Sequence, residues 1–158
     1  MKHLVPVILA TLLFCSCNKV VLDETHTFEN NTWMRFEPES YQFNIRNIDD
    51  CYDIIATLKV DTNQFFYKDL PLVVNMNSAN GDQRMFYSHV ALTNKSGKRQ
   101  GETIGCYQTV TTKMREYVFF NTSGEQTVEV KQGTSKYELP GVVSFGLKVE
   151  KASMRLPE

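Results

Sequence analysis

The chain has 158 residues, 17 basic against 18 acidic, with 42% hydrophobic residues, four cysteines and three histidines. Near-balanced charge without a cationic stripe argues against a nucleic-acid partner, because such binding rests on clustered Lys and Arg facing phosphates. The length suits one ordinary domain, and no internal repeat or low-complexity segment divides it.

The first seventeen residues follow the order of a secretory signal. Met1-Lys2-His3 is a short cationic start, Leu4 to Phe14 an apolar run, and Phe14-Cys15-Ser16-Cys17 closes it. The run is about half the roughly twenty apolar residues that a spanning helix needs, and Asn18 and Lys19 end it abruptly. A buried core helix is the competing reading, and its position, its flanking lysine and the polar change after Cys17 argue against it. A cysteine at the cleavage point resembles the bacterial lipoprotein box. Small Ser16 before Cys17 favours that cysteine as the lipidated residue over Cys15, which follows bulky Phe14. The expected organisation is residues 1–16 as signal peptide, 17–31 as lipidated start and polar tether, and 32–158 as the folded domain. Each buried methylene of an acyl chain is worth about 0.8 kcal/mol, so acylation would hold the protein firmly to a membrane. No aspartate follows Cys17 directly and no compact acidic run lies beyond it. The expected location is therefore the inner leaflet of the outer membrane, facing the periplasm.

Beyond the tether, short runs of β-branched and aromatic residues alternate with glycine and asparagine turns, an all-β pattern. Tyr41, Phe43 and Ile45 alternate with polar residues, as do Ile54, Ala56, Leu58 and Val60 within Tyr52–Val60. Leu72–Met76 and Arg84–Thr93 flank a turn at Asn77–Asp82 that contains an Asn-Gly pair. Asn94–Lys98 signals another turn before a strand at Thr103–Thr111. Tyr117–Asn121 and Thr127–Lys131 flank Thr122-Ser123-Gly124, and the last strand alternates at Val143, Phe145, Leu147 and Val149. Eight such strands imply two packed antiparallel sheets, because one sheet alone would leave its apolar face in water. A β-sandwich is expected, with the jelly roll among its candidate topologies.

Candidate chemistry is sparse. Once Cys17 is acylated and Cys15 removed, Cys51 and Cys106 remain, and an oxidising compartment permits them to pair. A bridge would contribute roughly 4 kcal/mol in the chain-entropy model, while two separate thiols are the equally weighted alternative. His26 falls in the tether, and His89 lies in a strand with Ser88 on the opposite face, so no dyad forms. Asp49-Asp50-Cys51-Tyr52-Asp53 lacks the alternating ligands and glycine of a calcium loop and reads as a solvated turn. No zinc spacing and no phosphate-binding glycine loop is present. No cofactor, metal or enzymatic activity is therefore expected. Trp33, Tyr41, Tyr87, Tyr107 and Tyr137 invite a sugar-binding platform, with simple core packing as the more common alternative. Trp33 is the candidate ligand or partner contact, since it precedes the regular strands.

These features together resemble a known family. The lipoprotein signal, Trp33, the strand Tyr52–Val60, the Leu70-Pro71 approach to a strand, and the run from Leu139 to Lys151 resemble the gliding motility lipoprotein GldH family of Bacteroidetes. The likeness runs from about Phe28 to Ala152 and departs at Gln64–Asp69, where the family has a more regular tyrosine-rich approach. The resemblance implies a non-enzymatic envelope lipoprotein that meets other envelope or gliding-machinery proteins. A carbohydrate-binding periplasmic or surface lipoprotein is the alternative, by fold analogy.

Overall fold

The computed structural model describes residues 19–153. The expected signal peptide, residues 1–16, and Cys17 lie outside the described residues. Eleven strands are formed: β1 (Val20–Thr27), β2 (Thr32–Met34), β3 (Glu39–Ile45), β4 (Cys51–Asp61), β5 (Asp69–Ser78), β6 (Gln83–Ala91), β7 (Glu102–Ile104), β8 (Tyr107–Phe119), β9 (Gly124–Gln132), β10 (Glu138–Pro140) and β11 (Val142–Lys151). Among the described residues no helix is long and apolar enough to cross a membrane.

One sheet runs β1-β11-β4-β8-β7, the other β3-β9-β5-β6, and β10 pairs with β2 as a short ribbon. The long strands pair as β1 with β11, β3 with β9, β4 with β8 and β5 with β6, all antiparallel. That nested pairing is the jelly roll, which manages its sheet edges by wrapping one sheet over the other. The expected antiparallel sandwich is thus the observed fold.

Alternation along the strands builds the core. In β4, Ile54, Ala56, Leu58 and Val60 are all buried, and Phe145, Leu147 and Val149 of β11 lie beside them. Tyr41, Phe43 and Ile45 of β3 close the layer from the other sheet. The run from Leu139 to Lys151 supplies β10, a turn and β11. Gly141 makes that turn at φ +84°, and a β-carbon there would lie 2.6 Å from the Phe65 backbone nitrogen. Only glycine fits this combination of positive φ and close approach.

The strand directions divide the molecule into two ends. Val20, Ile45, Cys51, Phe119, Gly124 and Lys151 lie at the end where β1 begins, which we call the proximal end. Thr27, Glu39, Asp61, Tyr107 and Val142 lie at the opposite, distal end.

Three expectations change. Residues 20–27, expected as tether, form β1, which pairs with β11 from Val20 to Thr27. Its polar composition reflects an edge strand with mostly exposed side chains, anchored by partly buried Val21 and Leu22. The chain is in the ladder even earlier, since the Lys151 amide donates to the Lys19 carbonyl at 2.7 Å. The strands expected at Thr103–Thr111 and Tyr117–Asn121 are instead β7, a tight turn with Gly105 at φ +60°, and one long β8. Finally, β5 reaches back through Pro71, which a ladder tolerates because pairing with β9 begins only at Leu72.

Candidate functional site

Two seams join the sheets along their sides, and a groove opens at the distal end. On one side, β1 of the first sheet meets β3 of the second. His26 stands between Glu39, whose Oε2 is 2.6 Å from Nδ1, and Glu24, whose Oε1 is 2.7 Å from Nε2. The imidazole stacks on Tyr41 with ring centres 4.5 Å apart and planes 15° from parallel. The Tyr41 hydroxyl then donates to the Phe145 carbonyl at 3.0 Å, so the arrangement links β1, β3 and β11. Burial pulls the His26 pKa down, but hydrogen bonds and charge from both glutamates outweigh it and leave the pKa above the ordinary 6.5. Burial, reinforced by Glu39 and Glu24, pushes the Tyr41 phenol well above its usual range, so it stays a neutral donor.

On the other side, β8 leans toward β6. The β4–β8 ladder shifts register twice, between Tyr52 and Ile54 and again between Ile54 and Ile55, so β8 bulges at residues 113–118. Within the bulge Tyr117 adopts φ 54°, uncommon for a residue with a side chain. Asp53 fixes this conformation: its Oδ1 accepts the Tyr117 amide at 3.2 Å, and its Oδ2 lies 2.8 Å from Lys113 Nζ. Burial raises the Asp53 pKa, but Lys113 and the Tyr117 amide more than compensate and hold it below the usual 3.8. Across the seam Arg84 donates to the Phe119 carbonyl at 3.0 Å, and the Arg115 guanidinium lies 5.1 Å over the Phe86 ring.

The groove at the distal end encloses about 590 Å³ and is lined by Thr27 to Asn30, Thr32 to Met34, Glu37, Glu39 and Glu138. Four of its side chains are carboxylates: Glu29, Glu37, Glu39 and Glu138. Trp33 forms its floor, fully buried, stacked on Phe28 at 4.9 Å and tilted against Phe145 at 5.2 Å. Next to the groove Phe36 and Tyr137, 70% and 57% exposed, pack together at 5.9 Å as a ridge, with the Arg35 guanidinium 5.6 Å over Phe36. An acidic cleft with an aromatic shoulder suits a cationic, partly apolar partner segment.

The candidate residues from the sequence take different places. Trp33 is not a surface contact but a core anchor, because β2 pairs it with Leu139 and its ring is buried between Phe28 and Phe145. The five aromatics do not form one platform: Trp33 and Tyr41 are buried, while exposed Tyr87, Tyr107 and Tyr137 sit on β6, at the start of β8 and before β10. His89 is exposed on β6. Of the acidic cluster, Asp50 pairs with Lys151 at 2.6 Å and Asp53 is buried in its ion pair, so the cluster is not a purely solvated turn. Cys51 and Cys106 are both free. Cys51 opens β4, whereas the Cys106 carbonyl accepts the Thr62 amide just beyond the other end of that strand. Ten residue steps at about 3.3 Å put them some 33 Å apart, far beyond disulfide reach. Among the described residues no three His, Cys, Asp or Glu side chains converge as metal ligands.

Comparison with known families matches residues 20–149 to the family described as GldH lipoprotein. No curated protein matches the chain. Among solved structures it is similar to a Podospora anserina GH26-CBM35 beta-(1,4)-mannanase, at 11% identity and TM-score 0.35, over 85% of this chain and 29% of that one. It is also similar to the Tobacco streak virus coat protein, at 10% identity and TM-score 0.24, over 87% and 89% of the two chains. The chain thus spans less than a third of the mannanase, and at these scores neither likeness bears on function.

Proposed function

Since this chain belongs to the GldH lipoprotein family, we propose that it is a non-enzymatic scaffold of the cell envelope, acylated at Cys17, held on the periplasmic side of the outer membrane, and acting in gliding motility where the host glides. The observation that carries the interaction role is the distal groove, with its four carboxylates beside the exposed Phe36–Tyr137 ridge. A protein segment bearing Lys or Arg next to an apolar residue would satisfy both features at once. Outer-membrane placement rests on the residues that follow Cys17, and the gliding role on the family.

Cross-linking in the native envelope tests the role of the groove. Reversing charge with Glu37→Lys and Glu138→Lys together, both at exposed positions, removes the partner adducts, while Lys95→Glu in the exposed turn between β6 and β7 leaves them. Adducts that persist undiminished in the charge-reversed groove contradict the assignment. In a host that glides, a deletion strain loses spreading, and complementation with Cys17→Ala fails to restore it.

A further inference from the structure

We infer that the proximal end of the jelly roll rests directly on the lipid headgroups of the leaflet that holds its anchor, so that the strands stand away from the bilayer and the distal groove is presented on the far side. This inference rests on acylation at Cys17 and adds an orientation to it. Three residue steps separate Cys17 from Val20, which allows at most about 11 Å even when fully extended. The Lys151 amide already holds the Lys19 carbonyl, and Lys19 Nζ lies 3.5 Å from Ser153 Oγ, so Lys19 is already part of the folded body. The leash expected at 17–31 is therefore almost absent, and the sandwich cannot drift from the surface.

The face nearest the anchor has the chemistry of an interface with headgroups. The β3–β4, β5–β6 and β8–β9 loops converge there, and Ile48, Ala79, Asn80, Asn121, Thr122 and Ser123 line a shallow depression between them, with no charged side chain among them. Such uncharged polar groups can meet headgroups without stripping water from an ion. Val20 and Ile48 are large apolar side chains left 43% and 45% exposed on this end, and Lys19 and Arg46 stand beside them as exposed cations. Apolar residues flanked by Lys and Arg suit the boundary between headgroup and acyl chain. Exposed Asp49 and Asp82 lie in the same loops, so charge does not choose between the ends, and the orientation rests on the reach from Cys17 and on the exposed Val20 and Ile48. Along β4 the two ends are separated by about 33 Å, from ten steps of 3.3 Å.

The test uses the full-length acylated protein, extracted from the envelope and reconstituted into vesicles of phosphatidylethanolamine and phosphatidylglycerol. In a Cys106→Ala background, an environment-sensitive fluorophore is placed by Ser123→Cys at the proximal end or by Ser135→Cys at the distal end, both exposed positions. Lipids carrying a quencher at the headgroup should quench the Ser123→Cys probe several-fold more than the Ser135→Cys probe. Inserting a ten-residue Gly/Ser spacer between Asn18 and Lys19 should erase most of that difference while the protein still floats with the vesicles. Equal quenching of both probes, or stronger quenching at Ser135→Cys, in protein that floats would overturn the orientation. Failure of the unmodified protein to float would count instead against the anchor on which it rests.

Discussion

The two seams of the jelly roll join the same pair of sheets through different contacts. At the β1–β3 seam a histidine is held between two carboxylates and stacked on Tyr41. On the β8–β6 side Asp53 and Glu116 together hold Lys113, and Asp53 takes the strained Tyr117 amide, all within one sheet, while the contacts that cross to β6 come from arginine: Arg84 to the Phe119 carbonyl and Arg115 over the Phe86 ring. The first seam is built on regular strands and on the element that leads to Cys17. The second is made by distorting a strand, and its order depends on one buried acid. One side is thus closed by an ion pair between strands of the two sheets, the other by arginines reaching a backbone carbonyl and a ring, with the ion pair there shaping the strand from within its own sheet.

The largest break in this comparison comes from Tyr41, which the β1–β3 seam shares with the core. Tyr41→Ala removes a fully buried ring and should cost about 3–5 kcal/mol in denaturant unfolding, whereas Tyr41→Phe, losing only the bond to Phe145, should cost about 1 kcal/mol. On the other side, Asp53→Ala strands the Tyr117 amide and should cost about 1–3 kcal/mol. Asp53→Asn, which keeps an acceptor for that amide, should recover part of the loss. Tyr117→Gly has the opposite sign: relieving φ 54° should stabilise the fold by up to about 1 kcal/mol, because a left-handed conformation penalises any residue with a β-carbon. A destabilised Tyr117→Gly would mean that the aromatic ring contributes more than the strain removes.

The smallest effects, and the sharpest in sign, lie in pH dependence. The folded-state pKa of His26 is raised, so its contribution is complete below about 6.5 and is lost as pH rises through the folded value. Neutral imidazole has one N–H for two carboxylates, which explains the loss. The folded-state pKa of Asp53 is lowered, so its contribution is present above its unfolded value and is lost as pH falls through the folded one. Unfolding curves of His26→Gln should lose the alkaline-side slope and those of Asp53→Asn the acid-side slope. Unchanged slopes in both variants would remove these groups from the account.

Much of the fold was legible from alternation. Val143 to Val149 and Ile54 to Val60 read as strands because one side chain in two is apolar, and both proved central in their sheet. Where that period is hidden, the reading failed for identifiable reasons. β1 carries Asp23, Glu24 and His26 because an edge strand exposes most of its side chains, and so it reads as tether. The Lys113–Glu116 stretch breaks the period because β8 bulges there, and so one strand reads as two. The seams were not legible at all, since His26 meets Glu39 and Arg84 meets the Phe119 carbonyl only through sheet topology. Trp33 shows the converse: a tryptophan ahead of the regular strands reads as an edge residue, yet the β2–β10 ribbon folds it under the groove. An aspartate such as Asp53 on the polar face of a strand whose other face is core, with a lysine elsewhere in the chain, is too common a pattern to single out.

The account depends most on the covalent start of the mature chain, because the near-absence of a leash gives the jelly roll its orientation only if Cys17 is the anchor. Intact mass and fragment analysis of the protein extracted from its native envelope measures this directly. The account predicts a chain that begins at Cys17 and carries diacylglycerol and an amide-linked acyl group; a native chain that still begins at Met1, or that carries an unmodified Cys17, contradicts it.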